Sequence, residues 1–461
     1  MSRTDPHFSA TLGEVAAACE GTVEDGRENL VVSGVSTDTR ELAGGELFVA
    51  LVGQNHDAHE FLSAAREKGA AAAVISDPEQ APTDLPVVIV EDTLRALGLL
   101  AAWHRAKMPA RVLGITGSTG KTTTKDMLGQ IAQRVGSAVV AEGTHNNEIG
   151  VPQTLLRLSP EDRFCVLEMA MRGPGEIDYL AGIARPDVGV ITNIGQSHVG
   201  QLGSREAIAQ AKAELLGHVP VDGAVVLNAD DFFFSVLCAM AEAPVVSFGI
   251  EHEADFRAVD VDDGDVKGVG FRMVTPLGEA DVRMPVPGRH SVMNGLAAAA
   301  AASQIGATLE EICRSLEEYA GSPMRMQRLG GKRGAVILND AYNASPDSVG
   351  AALNVLASAE GRRVFVFGDM LEMGAEAEPA HRQIGRAAAE AGVDWLITVG
   401  ELAALAAEGA AERGVRVSTV DEAPAAAELV DSELREDDVV LVKASRGMAL
   451  ERVVEALTDD N

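Results

Sequence analysis

An apolar run, Arg111-Val-Leu-Gly-Ile-Thr116, leads straight into a glycine-rich turn, Gly117-Ser-Thr-Gly120, and then into Lys121-Thr-Thr-Thr124 at the head of a helical pattern. This junction restricts the fold more than any other stretch of the chain. A buried strand that feeds a helix through a tight turn opens a parallel α/β unit, because parallel strands need a crossover and the crossover is usually a helix. Glycines let successive backbone N–H groups turn inward around clustered anionic oxygens. The helix adds its positive N-terminal end. Thr116, Gly117, Ser118, Thr119 and Gly120 form the expected cradle, Lys121 has the reach for β- and γ-phosphates, and the Thr122 hydroxyl suits Mg²⁺. The spacing departs from the general phosphate-loop pattern, since Ile115 stands six places before Lys121 and the first glycine, Gly114, is one place earlier.

Further apolar runs at 164–168, 188–192 and 224–228 alternate with helical stretches at 121–135, 175–184 and 205–216, which predicts a parallel sheet flanked by helices. A polar, acidic segment at about 250–285 predicts a hairpin, followed by an alanine-rich helix over 291–305. Before Pro109 lie short strand-like runs at 46–51 and 71–75 and a helix over 93–107. After Gly321, strands at 335–338, 364–367, 395–399 and 439–442 alternate with helices, a second open α/β unit of Rossmann type. The 461 residues, at roughly 150 per domain, predict three α/β domains. Their expected spans are 1–108, 109–320 and 321–461. No internal repeat is visible.

The net charge of −31 repels phosphate backbones, so general nucleic-acid binding is disfavoured. The same acidity fits solubility or, more sharply, a salty cytosol in which self-repulsion is screened. Aromatic residues make up only 4% of the chain, so its cores must rest on Ala, Val, Leu and Ile. Cys19, Cys165, Cys238 and Cys313 are far apart, without metal-ligand spacing, and read as reduced core residues of a cytosolic protein. The N-terminus carries no apolar signal core, and the alanine-rich stretch at 295–302 is too short to span a bilayer. A soluble, cytoplasmic protein without membrane insertion is expected.

A phosphate loop alone says only that a nucleotide binds. A motor or switch would pair it with an apolar strand ending in Asp to hold Mg²⁺. Here the strand over 164–168 ends in Glu168, and the next leads to His198. Taken alone, Glu168 reads equally as a surface salt-bridge residue, His198 as a satisfied loop histidine and Lys212 as a solvated helix lysine.

Taken together the residues resemble the Mur ligases, over about 33–455. Thr116-Gly-Ser-Thr-Gly-Lys-Thr122 is similar to their ATP loop, and Ile191-Thr-Asn-Ile-Gly-Gln-Ser-His198 to their metal-binding histidine strand. Ala211-Lys-Ala-Glu-Leu215 resembles the segment carrying their carbamylated lysine, and Pro287-Gly-Arg-His-Ser-Val-Met-Asn294 their adenine-contacting segment. Asn146-Asn-Glu-Ile-Gly-Val-Pro152, Asp340-Ala-Tyr-Asn-Ala-Ser-Pro-Asp-Ser348, Gly368-Asp-Met-Leu-Glu-Met-Gly374 and Val442-Lys-Ala-Ser-Arg-Gly-Met448 point to the branch that adds a D-alanyl-D-alanine dipeptide. The Asp-Asn-Pro-Arg string typical of the branch adding the third amino acid is absent. Ser345 and Ala444 depart from that dipeptide branch, where Asn and Gly are usual.

The resemblance implies an ATP-dependent ligase that activates a peptide carboxylate as an acyl phosphate. Its substrates would be UDP-N-acetylmuramoyl-tripeptide and D-Ala-D-Ala, handled by a monomer. Lys121 and Thr122 would serve the β/γ-phosphates and a first Mg²⁺, and Glu168, His198 and carbamylated Lys212 a second. His290 and Asn294 would face adenine, Arg325 (or Arg328) the γ-phosphate and Asp340 the ribose, the last two engaging when the final domain closes. Thr39, Arg40 and His59 would bind the uridine part, and Asn146 and Asn147 the muramoyl part. Asn343, Asp347, Lys443 and Ser445, with Asp369 and Glu372, would serve the dipeptide and the tripeptide tail. An amide ligase for a single amino acid, of the third-residue-adding or folate-polyglutamylating kind, and a non-enzymatic nucleotide-binding regulator remain the competing readings.

Overall fold

In the computed structural model the described residues are 8–23, 26–53, 56–196 and 199–458. Among them the strands form a five-, a nine- and a six-stranded sheet, in that order along the chain, plus a small antiparallel pair of Ser9–Thr11 with Val31–Ser33. No helix among the described residues is long and apolar enough to cross a membrane.

The first sheet runs Thr22–Val23, Val87–Ile89, Ala72–Ile75, Leu47–Val49, Val35–Ser36, parallel except at its first pairing. Helix Thr93–Ala106 follows. Its Leu97 and Leu100 share one apolar core with Val112, Leu155 and Ile177 of the next unit. Gly98 lets the helix come close there, because a Cβ at that position would lie 2.2 Å from the Tyr179 hydroxyl.

In the nine-stranded sheet Arg111–Thr116 lies between Phe164–Glu168 and Val188–Ile191, all parallel and almost wholly buried. Strand order reverses about this strand, which opens a crevice beyond the carboxyl ends. The register sets Glu168 beside Ile115 and Ile191 beside Thr116, so three strand ends converge on the turn before helix Lys121–Val135. The expected hairpin is instead a three-stranded antiparallel meander, Phe256–Asp265, Gly268–Thr275 and Gly278–Met284, which extends the same sheet. Its apolar face explains the difference: Phe256, Ala258, Phe271, Met273, Val282 and Met284 are buried beneath helix Arg289–Ser303. Ala297, Ala298, Ala299, Ala300, Ala301 and Ala302 on that helix are all 0% exposed.

The last sheet runs Gln327–Gly330, Val336–Asn339, Asp438–Lys443, Arg362–Gly368, Trp395–Val399, Arg416–Val420, antiparallel only at its first pairing. One buried ion pair ties two of its strands. Arg362 donates from Nε and Nη2 to the two Asp438 oxygens, both at 2.6 Å, and the side chains are 12% and 0% exposed. Removing one member of such a pair leaves the other charge buried and alone. Arg362→Ala is therefore expected to destabilise the protein by about 3–5 kcal/mol, read by urea denaturation of the last domain's transition.

Candidate functional site

The turn after Arg111–Thr116 is held from both sides. A Cβ at Gly117 would lie 1.9 Å from Thr192 Oγ1, and one at Gly120 would lie 2.2 Å from Asn294 Oδ1. Gly117 has φ +148° and Gly120 φ +80°, values that favour glycine. Ser118 N donates to Asn193 O at 3.0 Å, and Thr119 N to Asn193 Oδ1 at 3.1 Å. Thr192 Oγ1 donates to Thr119 O at 2.6 Å. The loop is thus held in shape by hydrogen bonds with Thr192 and Asn193. The Lys121 ammonium donates to Gly117 O at 2.8 Å and Ser118 O at 3.4 Å, folded back on its own loop. Burial lowers its pKa, while the Glu168 charge acts in the opposite direction.

Glu168 is 1% exposed. Its two oxygens accept from Thr122 Oγ1 at 2.8 Å and from Asn146 Nδ2 at 2.7 Å. Arg325 Nη2 reaches Thr122 Oγ1 at 3.3 Å, and its guanidinium stacks 3.8 Å from the Tyr342 ring centre. Lys212 is 1% exposed on helix Arg205–Ala213. Burial pushes its pKa well below the usual lysine range, and the Lys121 charge adds to the effect. His198 lies outside the described residues.

The donors present fit Mg²⁺. The Thr122 hydroxyl and Glu168 carboxylate are hard oxygens at the phosphate loop, and Mg²⁺ prefers one or two carboxylates completed by phosphate and water. Among the described residues no cluster of three or more His, Cys, Asp or Glu forms an all-protein cage.

The last domain supplies the facing wall. Lys443 Nζ meets Asp340 Oδ2 at 2.5 Å and donates to Asn343 O at 2.9 Å. His290, at the head of helix Arg289–Ser303, faces this pair from the middle domain, its pKa lowered by burial. Gln196 N donates to Asp347 Oδ2 at 3.0 Å across the domain boundary, and Ser445 Oγ accepts from Leu371 N at 2.9 Å. Between the walls lies a cavity of about 530 Å³. Ser118, Thr119, Gly120, Lys121, Thr122, Asn146, Glu168, His290, Asn294, Arg325, Asp340, Asn343, Asp347, Lys443 and Ser445 all line it.

Comparison with known proteins finds relatives along nearly the whole chain. The profile of the Mur ligase family catalytic domain matches residues 31–105, that of the Mur ligase middle domain 115–302, and that of the Mur ligase glutamate ligase domain 324–446. The UDP-N-acetylmuramoyl-tripeptide–D-alanyl-D-alanine ligase of Escherichia coli K12 is 36% identical over 98% of this chain and 99% of its own. The chain belongs to the Mur ligase family. A crystal structure of MurF from Acinetobacter baumannii superposes on this Mur ligase with a TM-score of 0.90 at 32% identity, covering 98% of this chain and 99% of that one. MurF ligase from Thermotoga maritima, solved in complex with ADP, superposes with a TM-score of 0.80 at 26% identity, covering 92% and 96%.

Several sequence expectations meet a different environment in this Mur ligase. Thr39, Arg40 and His59 do not line the cavity. His59 is buried with both ring nitrogens engaged: Nδ1 meets Asp57 Oδ1 at 2.6 Å, and Nε2 accepts from Ser76 N at 3.0 Å. It ties the end of strand Ala72–Ile75 to the turn at Asp57. Arg40 is exposed and paired with Asp38 at 2.5 Å; that guanidinium holds the Asp38 carboxyl down at about 2. Asn147 Oδ1 accepts from Gly150 N at 3.0 Å in the turn that leads into helix Gly150–Leu156, and Asp369 Oδ1 accepts from Ala403 N at 2.7 Å just before helix Ala404–Ala411. Arg328 is exposed on strand Gln327–Gly330, which leaves Arg325 as the arginine at the loop. Thr192, Asn193 and Tyr342 also line the cavity; they lie inside strings that the sequence singles out but are not among its expected site residues. Asn228, a polar residue ending a buried strand, gave the one clear overlooked signal, and it also lines the cavity.

Proposed function

We propose that this Mur ligase joins D-alanyl-D-alanine to the terminal carboxyl of UDP-N-acetylmuramoyl-tripeptide, forming the pentapeptide, ADP and phosphate for peptidoglycan precursor synthesis. The observation that carries the reading is a single cavity lined by Lys121, Thr122 and Glu168 on one side and Arg325, Asp340 and Lys443 on the other. The near full-length likeness to ligases named for this reaction supports it.

A carboxylate resists attack by an amine until one oxygen becomes a good leaving group. A tripeptide carboxylate oxygen attacks the γ-phosphorus of ATP, the bond to the β-phosphate oxygen breaks, and ADP leaves. The dipeptide amine then adds to the acyl carbon of the acyl phosphate. The tetrahedral intermediate expels phosphate, and the amine proton passes to solvent or phosphate. Negative charge gathers on phosphoryl oxygens at each step, where preorganised cations stabilise it most. Lys121 and Arg325 are the cations at the loop. Thr116, Gly117, Ser118, Thr119 and Gly120 form the phosphate cradle, and His290 and Asn294 bound the nucleoside end. Asp340 faces the ribose, with Lys443 as its buried counter-charge.

Thr122 and Glu168 would hold Mg²⁺, with His198 and a carbamate on Lys212 completing a second site. The metal supplies charge neutralisation of the phosphoryl oxygens. Residues 1–108 are assigned to the UDP-sugar, with Thr39 and Arg40 as its contacts, 109–320 to ATP and 321–461 to the dipeptide. Asn146 steadies Glu168 at the edge facing the muramoyl group, and Asn343, Asp347 and Ser445 line the dipeptide side. Both walls come from one chain, in keeping with a monomer acting in the cytoplasm, where nucleotide-linked precursors are made.

The test is phosphate release by purified protein with ATP, UDP-N-acetylmuramoyl-tripeptide and a panel of acceptors. Release that requires D-Ala-D-Ala, with pentapeptide seen by mass spectrometry, is the expected result. Turnover with a single amino acid and none with the dipeptide would overturn the assignment.

A further inference from the structure

Arg325 sits in a short turn between the second and third sheets, and its backbone is unusual. Gly321 has φ +90°, while Met324 and Met326, on either side of Arg325, have φ +56° and +48°. Non-glycine residues keep such conformations when surrounding contacts impose them. On the far side, Met324 N donates to Gln327 Oε1 at 3.3 Å and Met326 N to Asp340 Oδ1 at 3.1 Å. On the near side, Arg325 N donates to Ser322 O at 3.2 Å.

Ser322 is 3% exposed, and its hydroxyl donates to Asp126 Oδ2. A carboxylate only accepts, so the Tyr319 hydroxyl must donate to Ser322 Oγ, at 2.6 Å. Tyr319 is itself 4% exposed. Asp126 is fixed in turn, because Lys125 Nζ meets its Oδ1 at 2.7 Å. Lys125, 2% exposed, also donates to Ala141 O at 2.8 Å and Gly143 O at 3.1 Å.

Asp126 lies four residues after Thr122 on helix Lys121–Val135, so the two share one helix face. That face therefore grips the interdomain turn twice: Thr122 meets the Arg325 side chain, and Asp126 meets Ser322. We propose that Asp126 is a positioning residue which, through Ser322, sets where the Arg325 guanidinium meets the phosphate loop. The third domain would close about this point, with the arginine delivered at a fixed offset from the Thr122 hydroxyl. The catalytic part of the inference rests on the loop being the ATP site, as proposed above.

A double-mutant cycle on ADP formation by the full chain tests it. Asp126→Ala is expected to lower kcat about tenfold, the effect of one charge-assisted hydrogen bond, with the Kd for ATP little changed. In an Arg325→Ala background the same substitution should change kcat less than about twofold, because a positioning residue acts only through what it positions. Asp126→Asn keeps an acceptor for Ser322 and should recover most of the activity; Ser322→Ala should resemble Asp126→Ala and serves if the latter folds poorly. Equal losses in both backgrounds, or an asparagine variant as impaired as alanine, would overturn the proposal. Hydrogen exchange on the nucleotide-free chain gives a second reading that does not depend on ATP. Asp126→Ala should speed exchange across residues 322–327, and unchanged protection there would overturn the clasp. Calorimetric titration of the unaltered protein with ATP tests the nucleotide reading separately.

Discussion

Lys121→Ala is expected to lower pentapeptide formation by about 10²–10³-fold, the usual cost of removing one preorganised group that meets developing charge. The melting temperature should stay close to that of the unaltered chain. The reason lies in what the ammonium touches: among the described residues it donates only to the Gly117 and Ser118 carbonyls of its own loop. The loop keeps its shape without it, because Thr192 and Asn193 hold Ser118 and Thr119. Lys121→Arg is not expected to restore the rate. The planar guanidinium cannot replace a compact ammonium inside a closed turn. Steady-state kinetics with calorimetry on both variants checks this, and an alanine variant retaining more than a tenth of the rate would contradict it.

Lys212→Met should remove ligation about as completely while leaving the protein as stable or more so. Among the described residues no carboxylate pairs with this buried amine. Replacing such a group by an apolar one of similar length removes a desolvation cost. Its folded-state pKa is depressed, so the unfolded chain binds the proton more readily. Stability should then rise with pH between the lowered folded value and the ordinary lysine value, and the methionine variant should lose that slope. A neutral amine is also the form that adds CO₂: an N–C bond forms, the amine proton leaves to solvent, and a carbamate anion remains. Labelled ¹³C-bicarbonate should give a carbamate resonance in the unaltered protein and none in Lys212→Met. Full activity in the methionine variant would dispose of the carbamate.

The phosphate loop was legible because its signal is local. Apolar strand, glycines and helix head follow one another within about a dozen residues, and Arg111–Thr116 and Lys121–Val135 fall where the pattern put them. The strand end at Glu168 was legible for the same reason. The roles of His59 and Asp369 were not, because each is decided by backbone groups that only folding brings near. A polar residue in a turn string looks alike whether it faces a ligand or caps a helix. The meander after Phe256 reads as a hairpin in the sequence because its exposed acidic and glycine residues mask a buried face shared by three strands, which only the helix packed on it reveals. The grip of Asp126 on Ser322 spans 196 positions of sequence and left no trace in either neighbourhood.

The six wholly buried alanines of helix Arg289–Ser303 have a mechanical consequence. Side chains this small bring the helix close against the sheet and against helix Lys121–Val135, and they leave no long rotamers to rearrange. A larger residue at any of the six would overpack the contact. The head of this helix and the glycine turn are thereby joined into one stiff body, with Asn294 seated directly over Gly120. A nucleotide that fits imperfectly cannot be accommodated by play between those two parts.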